Sequence, residues 1–296
     1  MGANLKEVRE RIKSVISTQQ ITKAMKMVSA AKLRKAQDAI VKMRPYANKL
    51  NLMLSHILAN SSGDSSSSFG TAREVKRVLI VVVTSNRGLA GAFNTNIIKA
   101  AVALTNEKYA THYNAGQVDI LPIGKKGYDF FRKRMKTDYI IKDYVNLFAD
   151  LSFDNVSTVP DLLMNYFDGG RYDAVEVCYG RFKNAAVQYA EAEQYLPVPQ
   201  QESNTDKQIR ADYIFEPDQE KLLKELIPSI LQTQFYRYLL DTHASEHGAR
   251  MTAMDKATEN ADEILRDLRI TYNKARQEAI TSEISEIVGG AAALGG

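Results

Sequence analysis

The chain has 296 residues, 45% of them hydrophobic and 25% charged, with no tryptophan and a formal net charge of +4. That length holds one large domain or two modest ones, and so mild a net charge does not mark the whole chain as a nucleic-acid binder. One cysteine, Cys178, excludes an internal disulfide and a dithiol couple, and its setting in "AVEVCYG" is that of a reduced core residue.

No apolar run approaches the roughly 20 residues that span a bilayer. The start, "MGANLKEVRERIK", has neither a signal-peptide core nor the acid-free composition of a transit segment. A cytosolic chain, or one that has already lost a targeting segment, is therefore expected, with no membrane span.

Residues 1–58 predict one long helix. Small or apolar residues recur in steps of three and four: Leu5, Val8, Ile12 and Val15, then Leu33, Ala36, Ile40, Met43, Ala47, Leu50, Leu54 and Ile57. Between these two runs the same register lands on Gln19, Thr22, Lys26 and Ser29, giving a heptad seam with a polar middle. Pro45 removes one backbone bond, and because the register survives it a kink is expected rather than a break.

Residues 59–74, with "SSGDSSSSFG", read as a flexible linker. The segment 75–200 then alternates strand and helix signals. "VKRVLIVVVTS" reads as a buried strand, "FNTNIIKAAVALTNEKY" as a helix and "VDILPIG" as a second strand. "KKGYDFFRKRM" is helical, "DYIIKDY" a short third strand and "TVPDLLMNYF" helical; "YDAVEVCYGRF" and "AVQYAEAEQYLPV" are strands. This order predicts a central Rossmann-like α/β domain with a small, mostly parallel sheet.

Residues 201–216 form a connector, and residues 217–288 predict a second long helix, opened by Pro217 and closed at Gly289 and Gly290. Its seam runs through Leu223, Leu226, Ile230, Thr233, Leu240, Ala244, His247, Met251, Met254, Thr258, Ala261, Leu265, Leu268, Tyr272, Ala275 and Ala279. Residues 289–296 form an uncharged tip. At 1.5 Å per residue the two helices would measure roughly 80 and 100 Å.

Neither helix can bury its seam alone, so an antiparallel coiled coil of the two is the simplest solution. Charge supports it: residues 1–58 carry twelve basic against three acidic side chains, and residues 218–288 nine basic against thirteen acidic. If Ile57 lies opposite Leu223, Leu5 lies opposite Ala275. Everything from Arg276 onward, including the apolar Ile280, Ile284, Ile287 and Val288, then overhangs its partner.

Three stretches invite a chemical reading. "TSNRGLAGAFN" (84–94) places a glycine-rich turn between a strand and a helix, where phosphates bind. It matches neither the dinucleotide fingerprint nor a P-loop, and a tight turn explains its glycines. "HASEH" (243–247) has the spacing of an inverted zinc peptidase motif, but it sits mid-seam and lacks a third ligand, so a packed or solvated histidine pair is expected. The basic face in "ITKAMKMVSAAKLRKAQ" suits an acidic protein partner or a nucleic-acid backbone, although no aromatic residue is present for base stacking. No catalytic constellation is visible, and no cofactor or metal is expected.

The stretches "QQITKAMKMVSAAKLRKAQ", "TSNRGLAGAFN", "DYIFEPD" and "RMTAMDKATENADEILRDLRITYNKARQEAITSEISEIVGGAAAL" resemble the γ-subunit family of the F-type rotary ATP synthases. The likeness covers both ends of the chain and the order between them. One departure is Asn86, where the family often has glutamate; the cysteine-bearing insertion of chloroplast members is missing as well.

The resemblance implies a non-catalytic central-stalk rotor. Its paired helices would turn inside a ring of α and β subunits, and its central domain would face the ε subunit and the c-ring. It implies β contacts at Arg276, Gln277, Thr281, Glu283, Met25 and Lys26, and c-ring contacts at Tyr213 and Glu216. It also implies a peripheral place on the cytoplasmic face of a bacterial inner membrane. The competing reading from the residues is a nucleic-acid-binding coiled-coil arm on an α/β domain.

Overall fold

The computed structural model describes residues 5–60, 69, 73–198 and 219–294. The connector, with Tyr213 and Glu216, the Pro217 helix start and, of the linker at 59–74, all but residues 59, 60, 69, 73 and 74 lie outside those residues. Two compact units make up the chain, Met1–Ser29 with Arg250–Gly296, and Ala30–Ala249.

The first unit is a pair of antiparallel helical segments, the beginning of α1 (Leu5–Asn60) and the end of α6 (Gln219–Leu294). Val8, Thr22 and Ser29 of α1 are buried in it, as are Arg250, Met254, Ala261, Leu265 and Ala275 of α6. From Met254 onward these fall on the heptad seam of α6, with Arg250 just before it.

The second unit is built on a four-stranded sheet in the order β2-β1-β3-β4. β1 (Val78–Val83) runs parallel to β2 (Val118–Ile123) and to β3 (Ala174–Phe182), while β4 (Gln188–Leu196) runs antiparallel to β3. β1 is buried on both faces, as its unbroken apolar, mostly β-branched run requires. Leu79, Val81 and Val83 enter one core with Val156, Val159, Leu163 and Phe167 of α5 (Phe153–Asp168) and with Ile227, Ile230, Leu231, Phe235, Tyr238 and Leu239 of α6. Val78, Ile80 and Val82 enter the other with Phe93, Ile97, Ile98 and Ala101 of α2 (Phe93–Glu107) and Phe131 of α4 (Lys125–Phe131).

Glu176 and Asp119 are the most deeply buried carboxylates described in this unit. Glu176 is held by the Tyr109 hydroxyl at 2.7 Å and the Lys108 ammonium at 2.5 Å. Asp119 is held by the Tyr172 hydroxyl at 2.5 Å and Arg77 at 3.2 Å. Burial first, then the neighbouring carboxylate, pushes both tyrosine hydroxyls well above the usual phenol range, so each stays a donor.

Several details differ from the sequence reading. The helix expected through Tyr109 stops at Glu107, and a short α3 (Ala110–Asn114) follows, because Tyr109 turns inward to Glu176. The third strand expected at 138–144 reduces to one bridge, Ile120 to Ile140, after a 3-10 turn at Thr137–Tyr139. The stop expected at Gly289 and Gly290 is absent: α6 continues to Leu294. A glycine costs about 1 kcal/mol in a helix but does not end one, and Ala291–Ala293 and Leu294 are strong helix formers. Both α1 and α6 run on through Pro45 and Pro228.

Cys178 is fully buried, and its thiol is pushed up to about 12 by burial and by the nearby Glu176 charge. The tightest backbone approach is at Gly124. Its φ is +95°, and an added Cβ would lie 2.1 Å from the Thr84 carbonyl oxygen. Gly124→Ala is expected to destabilise the unit by about 3 kcal/mol or more, read as a lower denaturant midpoint. In the same titration the Cys178 thiol should react with a disulfide reagent only as the chain unfolds, at mildly alkaline pH.

Candidate functional site

The helix pair of the first unit is crossed by polar contacts as well as apolar ones. Thr22 Oγ1 and Thr258 Oγ1 lie 2.8 Å apart, and Arg9 donates to the Tyr272 hydroxyl at 2.9 Å. Gln19 donates to Asp262, and Lys26 pairs with Asp255. Going up α1 from Arg9 to Lys26, the partners on α6 descend from Tyr272 to Asp255, as antiparallel pairing demands. Three residues of the polar middle of the α1 seam, Gln19, Thr22 and Lys26, thus meet polar partners on α6. The same register sets Leu5 opposite the Ala275–Arg276 step, as the sequence alignment anticipated.

Met25 and Lys26 are half-buried on α1. Lys26 already holds an acidic partner in its own chain, so part of the basic face is engaged internally. Ile21, Met27 and Val28 are exposed beside it.

Past Ala275 the burial ends. Among the described residues that follow it, only Ala279 is even half-covered. Ile280 and Ile284 are 47% and 56% exposed, Ile287 and Val288 70% and 62%. At about 100° per residue, Arg276, Gln277, Ile280, Thr281, Glu283, Ile284, Ile287 and Val288 share one side of the helix, within an arc of about 160°. Glu278, Ser282, Ser285 and Glu286 occupy the other side. The four residues singled out for partner contact, Arg276, Gln277, Thr281 and Glu283, therefore lie with the exposed isoleucines.

An uncovered apolar stripe of this kind, bordered by a few polar groups, marks a surface that another chain covers. Within it the Thr281 hydroxyl donates to the Gln277 carbonyl oxygen at 2.9 Å, a bond internal to the helix. Arg276 and Glu283 are the charged groups at its margin.

The other two sequence candidates are built differently. In the 84–94 turn, Asn94 Oδ1 accepts from the Ser85 N–H at 2.9 Å, and the Ser85 hydroxyl donates to the Arg87 carbonyl at 2.6 Å. Asn86 Oδ1 accepts from the Lys125 N–H at 3.1 Å. The Thr84 hydroxyl accepts from the Gly127 N–H at 2.9 Å. These polar groups close the turn and hold it to the start of α4, with Leu89 and Gly91 in the left-handed region. His243 and His247 place their Nε2 atoms 3.1 Å apart, and the His243 ring stacks on Phe148. Among the described residues no group of three histidine, cysteine or acidic side chains is placed to hold a metal.

What sequence reasoning missed is part of the partner set on α6. Thr258 was already on the seam; the two that were missed, Asp255 and Asp262, flank it at spacings of three and four, the signal that pairs them with Lys26 and Gln19.

Comparisons with known proteins agree over the whole chain. A family model described as ATP synthase matches residues 4–294. The chain is 57% identical to the ATP synthase gamma chain of Cytophaga hutchinsonii, over 98% of its own length and 99% of that protein. It is 45% identical to the ATP synthase gamma chain of Chlorobium chlorochromatii, over 99% of its own length and 100% of that protein. Among solved structures it resembles a chain of the Euglena gracilis mitochondrial ATP synthase, OSCP/F1/c-ring, with a TM-score of 0.69 and 22% identity over 98% of this chain and 94% of that one.

The threonine pair and the lysine–aspartate pair should behave differently. A double-mutant cycle of Thr22→Val and Thr258→Val is expected to give a coupling of about 0.5–1 kcal/mol that added salt leaves unchanged. The cycle of Lys26→Ala and Asp255→Ala should give less than about 1 kcal/mol and shrink as salt rises, because both side chains are more than two-fifths exposed. Thermal unfolding of the parent, the four single variants and the two double variants at two salt concentrations checks both.

Proposed function

Because the chain belongs to the ATP synthase gamma-chain family, we infer that it is the central rotor of an F-type ATP synthase. It couples ion movement through a membrane c-ring to ATP synthesis or hydrolysis in a ring of α and β subunits. It carries no catalytic residues itself; the nucleotide chemistry belongs to the β subunits. Among the described residues no helix is long and apolar enough to cross a membrane, so the chain joins the membrane through the complex, on the cytoplasmic face of the inner membrane of a bacterium.

The observation that carries this reading is the bare end of α6. A helix that runs on to Leu294 with its isoleucines uncovered is incomplete without a sleeve. An α/β ring supplies one, and apolar contact lets the helix turn within it. Arg276, Gln277, Thr281 and Glu283, on the same face, touch one β subunit and leave the others. Met25 and Lys26 lie beside an acidic β loop. The central domain faces the ε subunit and, through Tyr213 and Glu216, the c-ring.

The mechanism is one of unequal contact. A rotor can shift the equilibrium of a β subunit only by the difference in contact energy between that subunit's states. A helix with one apolar, polar-edged face presents a different surface to each of three surrounding subunits. Each orientation therefore favours a different nucleotide state at each site, and rotation passes those states around the ring.

Reconstitution tests this. Mixed with purified α and β subunits, the chain should form a stoichiometric complex with stimulated, azide-sensitive ATPase. In that complex Arg276→Ala with Glu283→Ala should lower turnover more than Thr281→Ala, whose hydroxyl is already engaged by Gln277. No complex, with salt-sensitive retention of RNA on a filter instead, would favour the nucleic-acid arm.

A further inference from the structure

In the second unit, α6 is fixed to the sheet by more than apolar packing. The Tyr195 hydroxyl on β4 donates to the Leu231 carbonyl at 2.8 Å. The Tyr238 hydroxyl donates to Glu193, also on β4, at 2.7 Å, and Tyr179 on β3 donates to the same carboxylate at 2.6 Å. One turn further along α6, two hydroxyls converge on one strand residue. Thr242 Oγ1 accepts from the Gly180 N–H at 3.2 Å, and Ser245 Oγ donates to the Gly180 carbonyl at 3.0 Å.

The reason Gly180 is open to the helix lies in the sheet. β1 pairs with β3 only as far as Cys178. Beyond that point β3 keeps β4 on one side and has no β1 strand on the other. A buried backbone N–H and C=O left there would cost about 1–3 kcal/mol each without partners. Thr242 and Ser245 supply them, so a helix stands in for the missing strand.

Space enforces the contact. A Cβ on Gly180 would come within 2.7 Å of the Phe93 ring, which presses from α2, and a Cβ on Gly248 would meet the Ala185 carbonyl oxygen of the β3–β4 turn at 3.2 Å. Leu231, Tyr238, Thr242, Ser245 and Gly248 fall along one face of α6. Thr242 and Ser245 are both fully buried.

We propose that this face is the torque-bearing joint of the rotor. The hydroxyls of Thr242 and Ser245 on the Gly180 backbone, with the Tyr238–Glu193–Tyr179 cluster behind them, lock α6 to the sheet so that the two turn together. Interdigitated apolar side chains resist both separation and sliding, but dispersion contact prefers no single direction. Directed hydrogen bonds to a strand backbone resist sliding, because any shift along or around the helix breaks them. Thr242, Ser245 and Tyr238 are thus positioning residues for energy coupling, distant from any nucleotide.

The proposal rests on the rotor reading and is tested in the assembled complex. A bead is attached to a cysteine introduced at the exposed Asn106 of α2, the native Cys178 being buried. Its angular fluctuations are recorded while azide holds the α/β ring paused. Thr242→Val with Ser245→Ala removes both hydroxyls at nearly constant volume, and the angular variance should rise about twofold. Thr242→Ser keeps a hydroxyl and should retain the parent stiffness. Val177→Ala in the sheet should lower the melting temperature without widening the fluctuations, which separates compliance from stability. Ser245→Ala alone carries the test if the double variant folds poorly. Parent stiffness in the folded hydroxyl-free variants would overturn the joint while leaving the rotor reading intact. Failure of the parent chain to enter the complex would overturn both.

Discussion

One helix meets three different surroundings, and the structure depends on its doing so without interruption. Between Ile227 and Ala249 α6 packs on a sheet, with Ala47 and Leu50 of α1 beside Ile230 and Thr233. Between Arg250 and Ala275 it pairs with α1. Beyond Ala275 its side chains are exposed. Each setting imposes its own residue types. The sheet takes aromatic and aliphatic side chains with hydroxyls at fixed points. The helix pair takes small and branched residues at heptad spacing, with a polar stretch in the middle. The end takes isoleucines that this chain leaves uncovered. Because the residues of every segment also favour helix, no break is needed between them, and even two glycines near the end do not stop it.

The polar stretch in the seam is costly by the standards of a core and is retained for a physical reason. Exchanging Thr22 and Thr258 for valines would bury more apolar surface. An all-apolar seam, however, tolerates a slip of one heptad, because every layer looks alike. A slip would displace Arg276 and its neighbours along the helix axis by about 10 Å. Paired threonines and the flanking Gln19–Asp262 and Lys26–Asp255 contacts admit one register. The position of the exposed end is thereby fixed by residues well away from it.

How much of this was legible follows from where the information sits. The long helices, the seam and the overhang could be read because heptad spacing is local and repeats many times; the anticipated pairing of Leu5 with Ala275 lies within a residue of the observed register. Strands β1 and β3 were legible from their apolar runs. The failed third strand was not. "DYIIKDY" has strand composition, but pairing depends on reach to Ile120, and a single residue achieves it. The break after Glu107 was hidden for a similar reason: Tyr109 is a tolerable helix residue, and only the buried Glu176 on a distant strand draws it inward. The proposed contacts Arg276, Gln277, Thr281 and Glu283 came from resemblance rather than from spacing, yet helical geometry places these four on the same face as the exposed isoleucines.

The contrast between the two ends of α6 explains how a rotor can be both stiff and free. At the sheet the contacts are directional: Thr242 and Ser245 bond to one backbone residue, and Tyr238 to a carboxylate shared with Tyr179. Such bonds have a narrow optimum and oppose rotation. At the exposed end the residues that await a partner are mostly aliphatic, and dispersion contact with them varies little with angle. Their polar neighbours are few and lie on one side. If Arg276 and Glu283 hold a partner as proposed, resistance to rotation there is confined to the angles at which they meet it. A surface smooth over most of its circumference and specific over a small part of it is what a rotating element needs if it is to pass several sites in turn and address them one at a time.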